Sequence, residues 1–377
     1  PSDQGEPKVT MDTSSSSVKP RANITWSPPG NPNGDSNFRY VVTDENGREV
    51  CPEQQSTTCT TPMDPSTETV TFTVRSTNKS GQWSAPSPAS NAVRAFQPPG
   101  APTRFSLKPT GKGNEVQFDF GAASGNGVKE SEITYRWSAG GHSGTVKPGT
   151  TVVTSSAFQL GQSVTVRLVA VANVLGQTSE GEAATATVTA YGPPQAPVVS
   201  SEGGVEQASL RWQVPGSSNG ARVKQVEITT TVKAEGKDAK TDTWTTDDLS
   251  GSVDKGDGRK QNVCVKARAQ NEHGVWSEYS SESCASTWGD KKATLTRDDS
   301  YNCQGQGWGC LKVTVQNWEP GETTCKLPSP RRHDDDEKIK IRVRRIDPSG
   351  NGASDPFPAD LLSEGYGDGK DVTGECK

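Results

Sequence analysis

Histidine and methionine are nearly missing from this sequence, three His and two Met in 377 residues. No nucleophile elbow, P-loop or glycine fingerprint accompanies them, so acid–base, phosphoryl-transfer and dinucleotide chemistry lack their usual parts. His142, His273 and His333 each stand among Gly or charged residues in predicted loops, where ordinary surface histidines are expected. No run of 18 apolar residues occurs, so nothing reads as a membrane helix, and no signal peptide is present. Strong core formers are scarce too, with eleven Leu and six Ile, a level at which disorder must be considered. Charge of one sign is also lacking. The formal net charge is only -5, and no basic stripe stands out beyond Arg342–Ile346, which argues against nucleic-acid binding.

What the chain does have is nine Trp, eight Cys, regular apolar alternation and many turn residues, a description of small β-domains with thin cores. The cysteines are even in number and fall in local pairs, Cys51 with Cys59, Cys264 with Cys284 and Cys303 with Cys310, which leaves Cys325 with Cys376. C-x-x-C zinc spacing is absent, so four disulfides and an oxidising compartment are expected. The chain is then a mature secreted protein or, as its limits at Pro1 and Lys377 favour, an ectodomain of a longer anchored one.

One stretch organises the rest, Val263 to Ser280. Val263, Val265, Ala267 and Ala269 alternate with Cys264, Lys266, Arg268 and Gln270, the period of a half-buried strand. Asn271 to Gly274 turn the chain, and Trp276, Ser277 and Ser280 return it as W-S-x-x-S. The same phrase stands at Val70 to Ser87, with Arg75, Asn78, Gly81, Trp83, Ser84 and Ser87 in corresponding places. Asn-Gly pairs recur at 33–34, 126–127 and 219–220, each following a large aromatic, Trp26, Phe120 or Trp212. Such internal repetition marks copies of one unit about 95 residues long, the size of a seven-stranded sandwich.

These residues resemble fibronectin type III domains, whose strand B carries the core aromatic and whose F–G turn carries the Asn, the Gly and the following ring. The W-S-x-x-S element with its preceding cations resembles the W-S-x-W-S box of class I cytokine receptors, with Pro86 or Tyr279 in place of the second Trp. The resemblance implies ladders of Arg75 on Trp83, and of Lys266 and Arg268 on Trp276. Tandem copies joined by proline-rich segments, QPPGAP at 97–102 and GPPQAP at 192–197, look most like ectodomains of actinobacterial surface proteins, including bifidobacterial ones encoded beside a Ser/Thr kinase. Such joints are stiff and would set the copies end to end.

The expected fold is all-β, four consecutive fibronectin type III or Ig-like sandwiches in an elongated array. The domains are read as 1–97, 98–192, 193–287 and a disulfide-rich 288–377, the last with strands over Cys310–Val315 and Lys338–Ile346. In the second copy the apolar set Val164, Val166, Leu168 and Ala170, counted from Asn173, falls one residue out of phase, which predicts a bulge. Thr178 stands there where the others have Trp83 and Trp276, so the second copy reads as a spacer.

Asp334, Asp335 and Asp336 lack the alternating spacing of a calcium loop, and Lys370 interrupts the acidic 368–375 stretch, so no metal and no cofactor are expected. The expected function is non-enzymatic binding of a protein, a host or bacterial surface protein or a cytokine, by a cell-surface ectodomain. The alternative is a spacer stalk touching cell-wall polysaccharide. Contact with a membrane would come only through an anchor outside this sequence. The candidate binding residues are Arg75, Trp83, Ser84, Lys266, Arg268, Trp276, Ser277 and Tyr279.

Overall fold

Period-two alternation in segments rich in Val and Thr extends the chain into short strands that bury one face. The computed structural model describes every residue except Asp3, Ser217 and residues 301–302, 304–308 and 331–337. It divides into two compact units, Pro1–Gly192 and Pro193–Lys377. All named strand pairs are antiparallel, and the only helical segments among the described residues are three short 3-10 turns.

The first unit begins with β1 (Lys8–Asp12), β2 (Arg21–Thr25), β3 (Arg39–Asp44), β4 (Glu49–Gln54), β5 (Thr58–Pro62) and β6 (Phe72–Thr77), in sheets ordered β1-β2-β5 and β4-β3-β6. It continues with β7 (Thr103–Pro109), β8 (Glu115–Gly121), β9 (Ile133–Ala139), β10 (His142–Val146), β11 (Gly149–Thr154), β12 (Ser163–Val174), β13 (Gln177–Glu180) and β14 (Ala184–Thr189). Their sheets run β11-β8-β7 and β10-β9-β12-β13, with β14 also on β12. His142 therefore opens a strand instead of lying in the predicted loop.

The second unit holds β15 (Val198–Gly203), β16 (Ala208–Gln213), β17 (Val223–Ala234), β18 (Lys240–Thr246), β19 (Ser250–Lys255), β20 (Gln261–Asn271) and β21 (Ser283–Ser286), ordered β15-β16-β19 and β18-β17-β20-β21. It ends with β22 (Lys292–Arg297), β23 (Cys310–Gln316), β24 (Gly321–Pro328), β25 (Lys338–Ile346), β26 (Gly352–Ala353) and β27 (Phe357–Pro358), in one sheet ordered β22-β23-β26-β25-β24 with β27 on β23. First, second and fifth strands facing fourth, third and sixth is the fibronectin type III order, and it occurs three times.

Each of those three sandwiches closes on its strand-B aromatic. Trp26, Phe120 and Trp212 are all buried in separate cores with the inward residues of the facing sheet. The Asn-Gly pairs that follow share one backbone shape, φ 50° and 94°, 48° and 90°, 49° and 88°, a two-residue left-handed turn that Asn and Gly tolerate best. In two of them the Asn side chain also holds a proline joint, Asn126 Nδ2 donating to Pro98 O at 2.9 Å and Asn219 Nδ2 to Pro193 O at 2.7 Å.

No bulge repairs the second copy. The pairing of β12 with β9 runs unbroken from Arg167 opposite Ser138 to Ala172 opposite Ile133, and even-numbered residues face inward to Val174. The apparent slip came from counting at Asn173, an exposed strand residue paired with Thr178; the strand ends one step later at Val174, and the turn is Leu175-Gly176.

The joint inside the first unit is packed as well as proline-stiffened. Phe96 is buried against Val128, Ala172 and Val174, and beside it the buried Arg94 grips the Glu132 carboxylate through both terminal nitrogens and reaches Gly127 O at 3.1 Å. That guanidinium holds the Glu132 carboxyl at about 2, far below its ordinary value. Inside the second unit no prolines occur at the corresponding place. Trp288 Nε1 donates to Gly203 O at 3.1 Å, and Arg259 Nη1 donates to Gly289 O and Asn317 O, each at 2.7 Å.

All four expected disulfides are present. Cys264 and Cys284 lie directly opposite each other on β20 and β21, on the outward face with Lys266 and Arg268.

Candidate interaction face

The serines of W-S-x-x-S explain why that phrase repeats. After Trp83 the chain carries no strand hydrogen-bond pattern, yet Ser84, Ser87 and Ser90 donate their N–H groups to Ser76, Val74 and Phe72 O at 2.8, 3.0 and 2.9 Å. Each serine Oγ then accepts the N–H of the same strand residue at 3.0 Å. A spacing of three suits an extended chain with three residues per turn, and the hydroxyl supplies the acceptor that a regular strand would have offered. Ser277 and Ser280 repeat the device on Ala269 and Ala267, with N–H contacts of 2.8 and 2.7 Å and Oγ contacts of 2.9 and 3.0 Å. The fourth region uses it once, at Ser354 on Val313. Ser84 and Ser277 are thus turned inward and spent on the backbone.

Between the serines the side chains point outward. In the third sandwich the Arg268 guanidinium lies 4.5 Å from the Trp276 ring centre and 4.8 Å from that of Tyr279, while Lys266 Nζ lies 4.7 Å from Tyr279. The ladder forms, with Lys266 on Tyr279 instead of the expected Trp276. Glu227, directly across on β17, receives Arg268 through Nε at 2.8 Å and Nη2 at 3.2 Å, and its Oε1 also accepts from the Tyr279 hydroxyl at 2.5 Å. The Arg268 hydrogen bonds hold the Glu227 carboxyl below its ordinary range, against the opposing effect of partial burial, and the same carboxylate pushes the Tyr279 phenol up. Arg268 is thereby held close to both rings. Tyr279 remains 39% exposed, and Lys266 pairs with no carboxylate among the described residues.

Glu227 was not singled out in the sequence. Its signal is a lone carboxylate at an outward position of an otherwise Val-, Ile- and Thr-rich strand, and only the strand pairing places it opposite Arg268.

In the first sandwich the expected ladder of Arg75 on Trp83 does not form. Arg75 Nε donates to Ser84 O at 3.0 Å, and the residue across from it on β3 is Val41. With Pro86 in place of Tyr279 and no carboxylate opposite, nothing holds that guanidinium against a ring. Trp83 is 36% exposed.

The carboxylates of the acidic 368–371 stretch serve the backbone. Asp368 accepts from Arg297 N at 2.9 Å and Asp371 from Thr373 N at 2.9 Å. His273 N–H donates to Asn271 Oδ1 within the turn. The one grouping of metal-ligand atoms among the described residues, Cys264, Glu282 and Cys284, has both sulfurs tied in a disulfide. His333, Asp334, Asp335 and Asp336 lie outside the described residues. Four disulfides fit an extracellular protein, and among the described residues no helix is long and apolar enough to cross a membrane.

No protein-family model and no curated protein matches the chain. Among solved structures, the FN1–FN3 domains of chicken CNTN1 share 16% identity, covering 76% of this chain and 99% of theirs, with a TM-score of 0.26. A run of titin domains shares 13%, covering 75% of this chain and 99% of theirs, with a TM-score of 0.29. The fold assignment rests on the sheet order and register described above.

Proposed function

We propose that this chain is a non-catalytic binding segment of a bacterial cell-surface protein, and that it takes a protein partner on the outer face of its third sandwich. The observation that carries this reading is Arg268, fixed between Trp276 and Tyr279 by Glu227, with Tyr279 open to solvent and Lys266 lacking a carboxylate. Rigid aromatics beside a cation are the composition of binding hot spots. A partner that sets an apolar group on the rings and a carboxylate near Lys266 completes the face. The receptor-like box makes a host cytokine the first partner to test.

A second reading, a spacer that touches the cell wall, is favoured by the packed joint at Phe96 and Arg94, which stiffens the first unit independently of any partner. Immobilised chain exposed to a cytokine panel and to peptidoglycan separates the two. Saturable cytokine binding that falls at least tenfold in Tyr279→Ala, with the melting of the third sandwich nearly unchanged, supports the first reading. Binding to peptidoglycan alone, indifferent to Tyr279→Ala and Trp276→Ala, supports the second.

A further inference from the structure

The outer strands of these sheets are protected in different ways, and one is not protected. β1, β4, β5, β7, β13, β15, β18 and β19 each carry a charged residue or a proline, β10 is a five-residue strand interrupted at its centre by Gly144, β14 lies against β7, and β21 lies against β15. Those are the usual means of blunting a sheet edge. β11 reads Gly149-Thr-Thr-Val-Val-Thr154, with no charge and no proline, and pairs on one side only, with β8. Its counterparts in the first and third sandwiches end in Pro62 and in Asp254-Lys255.

The direction of its free groups follows from the register. Ser155 N donates to Asn114 O, one step beyond Thr154 opposite Glu115, so Ser155, Val153, Thr151 and Gly149 turn their backbone groups to β8. Thr150, Val152 and Thr154 turn theirs outward. All three are exposed, Val152 at 52%. A β-branched apolar side chain thus stands on an open, uncharged edge.

We propose that this edge pairs with the same edge of a second copy of this chain. Antiparallel pairing about a twofold axis at Val152 sets Val152 opposite Val152 and Thr150 opposite Thr154, so all three outward N–H groups of each strand find outward carbonyls. The two sheets become one continuous six-stranded sheet, β7-β8-β11 followed by its mate. A second copy is the occupant because the edge is complementary to itself: it is uncharged, so no like charges meet, and its Thr-Thr and Val-Val pairs are favourable cross-strand neighbours. A contact of one strand is small, so the dimer is weak and concentration-dependent.

Sedimentation of the whole chain across a concentration series tests this. The mass is expected to rise from 40.0 kDa towards twice that value. Val152→Lys, which faces lysine with lysine, and Val152→Pro, which removes an outward donor and no bond to β8, are each expected to weaken association at least tenfold, whereas Val198→Lys on the exposed start of β15 leaves it intact. Should Val152→Pro fail to fold, Val152→Lys decides. All eight native cysteines are bonded, so Val152→Cys introduces one thiol per chain, and the twofold pair brings two of them within disulfide reach. Oxidation is expected to yield a linked dimer far faster than with Val198→Cys. A wild-type mass of 40.0 kDa at every concentration, association untouched by Val152→Lys, or equal linking of the two cysteine variants overturns the proposal.

Discussion

On the outer face of the second sandwich, Glu180 lies between Arg136 and Arg167 at 2.7 and 2.8 Å, with all three side chains well exposed. On the third, Arg268 lies between two rings and is clamped by Glu227, the arginine side chain 30% and the carboxylate 15% exposed. The strand order beneath is the same. What differs is the turn and the residue before it. Val174 ends its strand as Asn271 does in the third sandwich; three residues ahead of Val174 stands Val171, three residues ahead of Asn271 stands Arg268, and only the third returns with Trp276 and Tyr279. Exposed ion pairs are worth little, about 0 to 1 kcal/mol, whereas a cation held between rings and a carboxylate is partly desolvated and worth more. One scaffold therefore carries a solvated charge ladder in one place and a rigid, partly apolar surface in another.

The contrast is broken most strongly at Cys264–Cys284. The second sandwich has no cysteine, so replacing both by Ser is expected to cost the third about 3 kcal/mol while the calorimetric transition of the second stays in place. Peptide mapping without reduction checks the pairing itself. Next comes Trp276→Ala, expected to cost about 2 kcal/mol, against less than about 1 kcal/mol for Trp83→Ala, because Trp83 carries no stacked arginine. Equal costs in denaturant melts would mean that the arginine contributes nothing to holding the ring.

Glu227 gives the comparison a pH dependence. Its folded pKa lies below the ordinary glutamate value, so its contribution is complete above that value and is lost as pH falls through the folded pKa. Acid titration of the third sandwich is expected to lose a step in Glu227→Gln, a variant about 1 to 2 kcal/mol less stable near neutral pH and closer to wild type in acid. The smallest effects are expected from Arg136→Ala and Arg167→Ala, each under about 1 kcal/mol and weaker still at high salt.

Much was readable from local pattern. Strand F of the third copy, the buried aromatics Trp26, Phe120 and Trp212, the three left-handed Asn-Gly turns and three of the cysteine pairs follow from spacing of two, from residues that suit positive φ, and from proximity along the chain, while Cys325 and Cys376, 51 residues apart, follow only as the pair left over. The phase error at Asn173 shows the limit of such reading, since Leu175-Gly176 makes the same kind of left-handed turn with a residue that local preference disfavours. The ladder of the first copy failed for another reason. Arg75 and Trp83 have the right spacing, but a cation stays on a ring only if something opposite holds it.

Apart from the turn of the second copy, the sequence by itself determined which residues of the repeated strands face inward and where the chain turns, because those depend on neighbours two to four positions away. Tertiary structure alone decided that Glu227 meets Arg268, that Ser84 and Ser277 feed the backbone, that Phe96 and Arg94 close a joint, and that β11 is left open. Each of these depends on which strand lies across from which, and antiparallel pairing joins residues such as Glu227 and Arg268 that no local period connects.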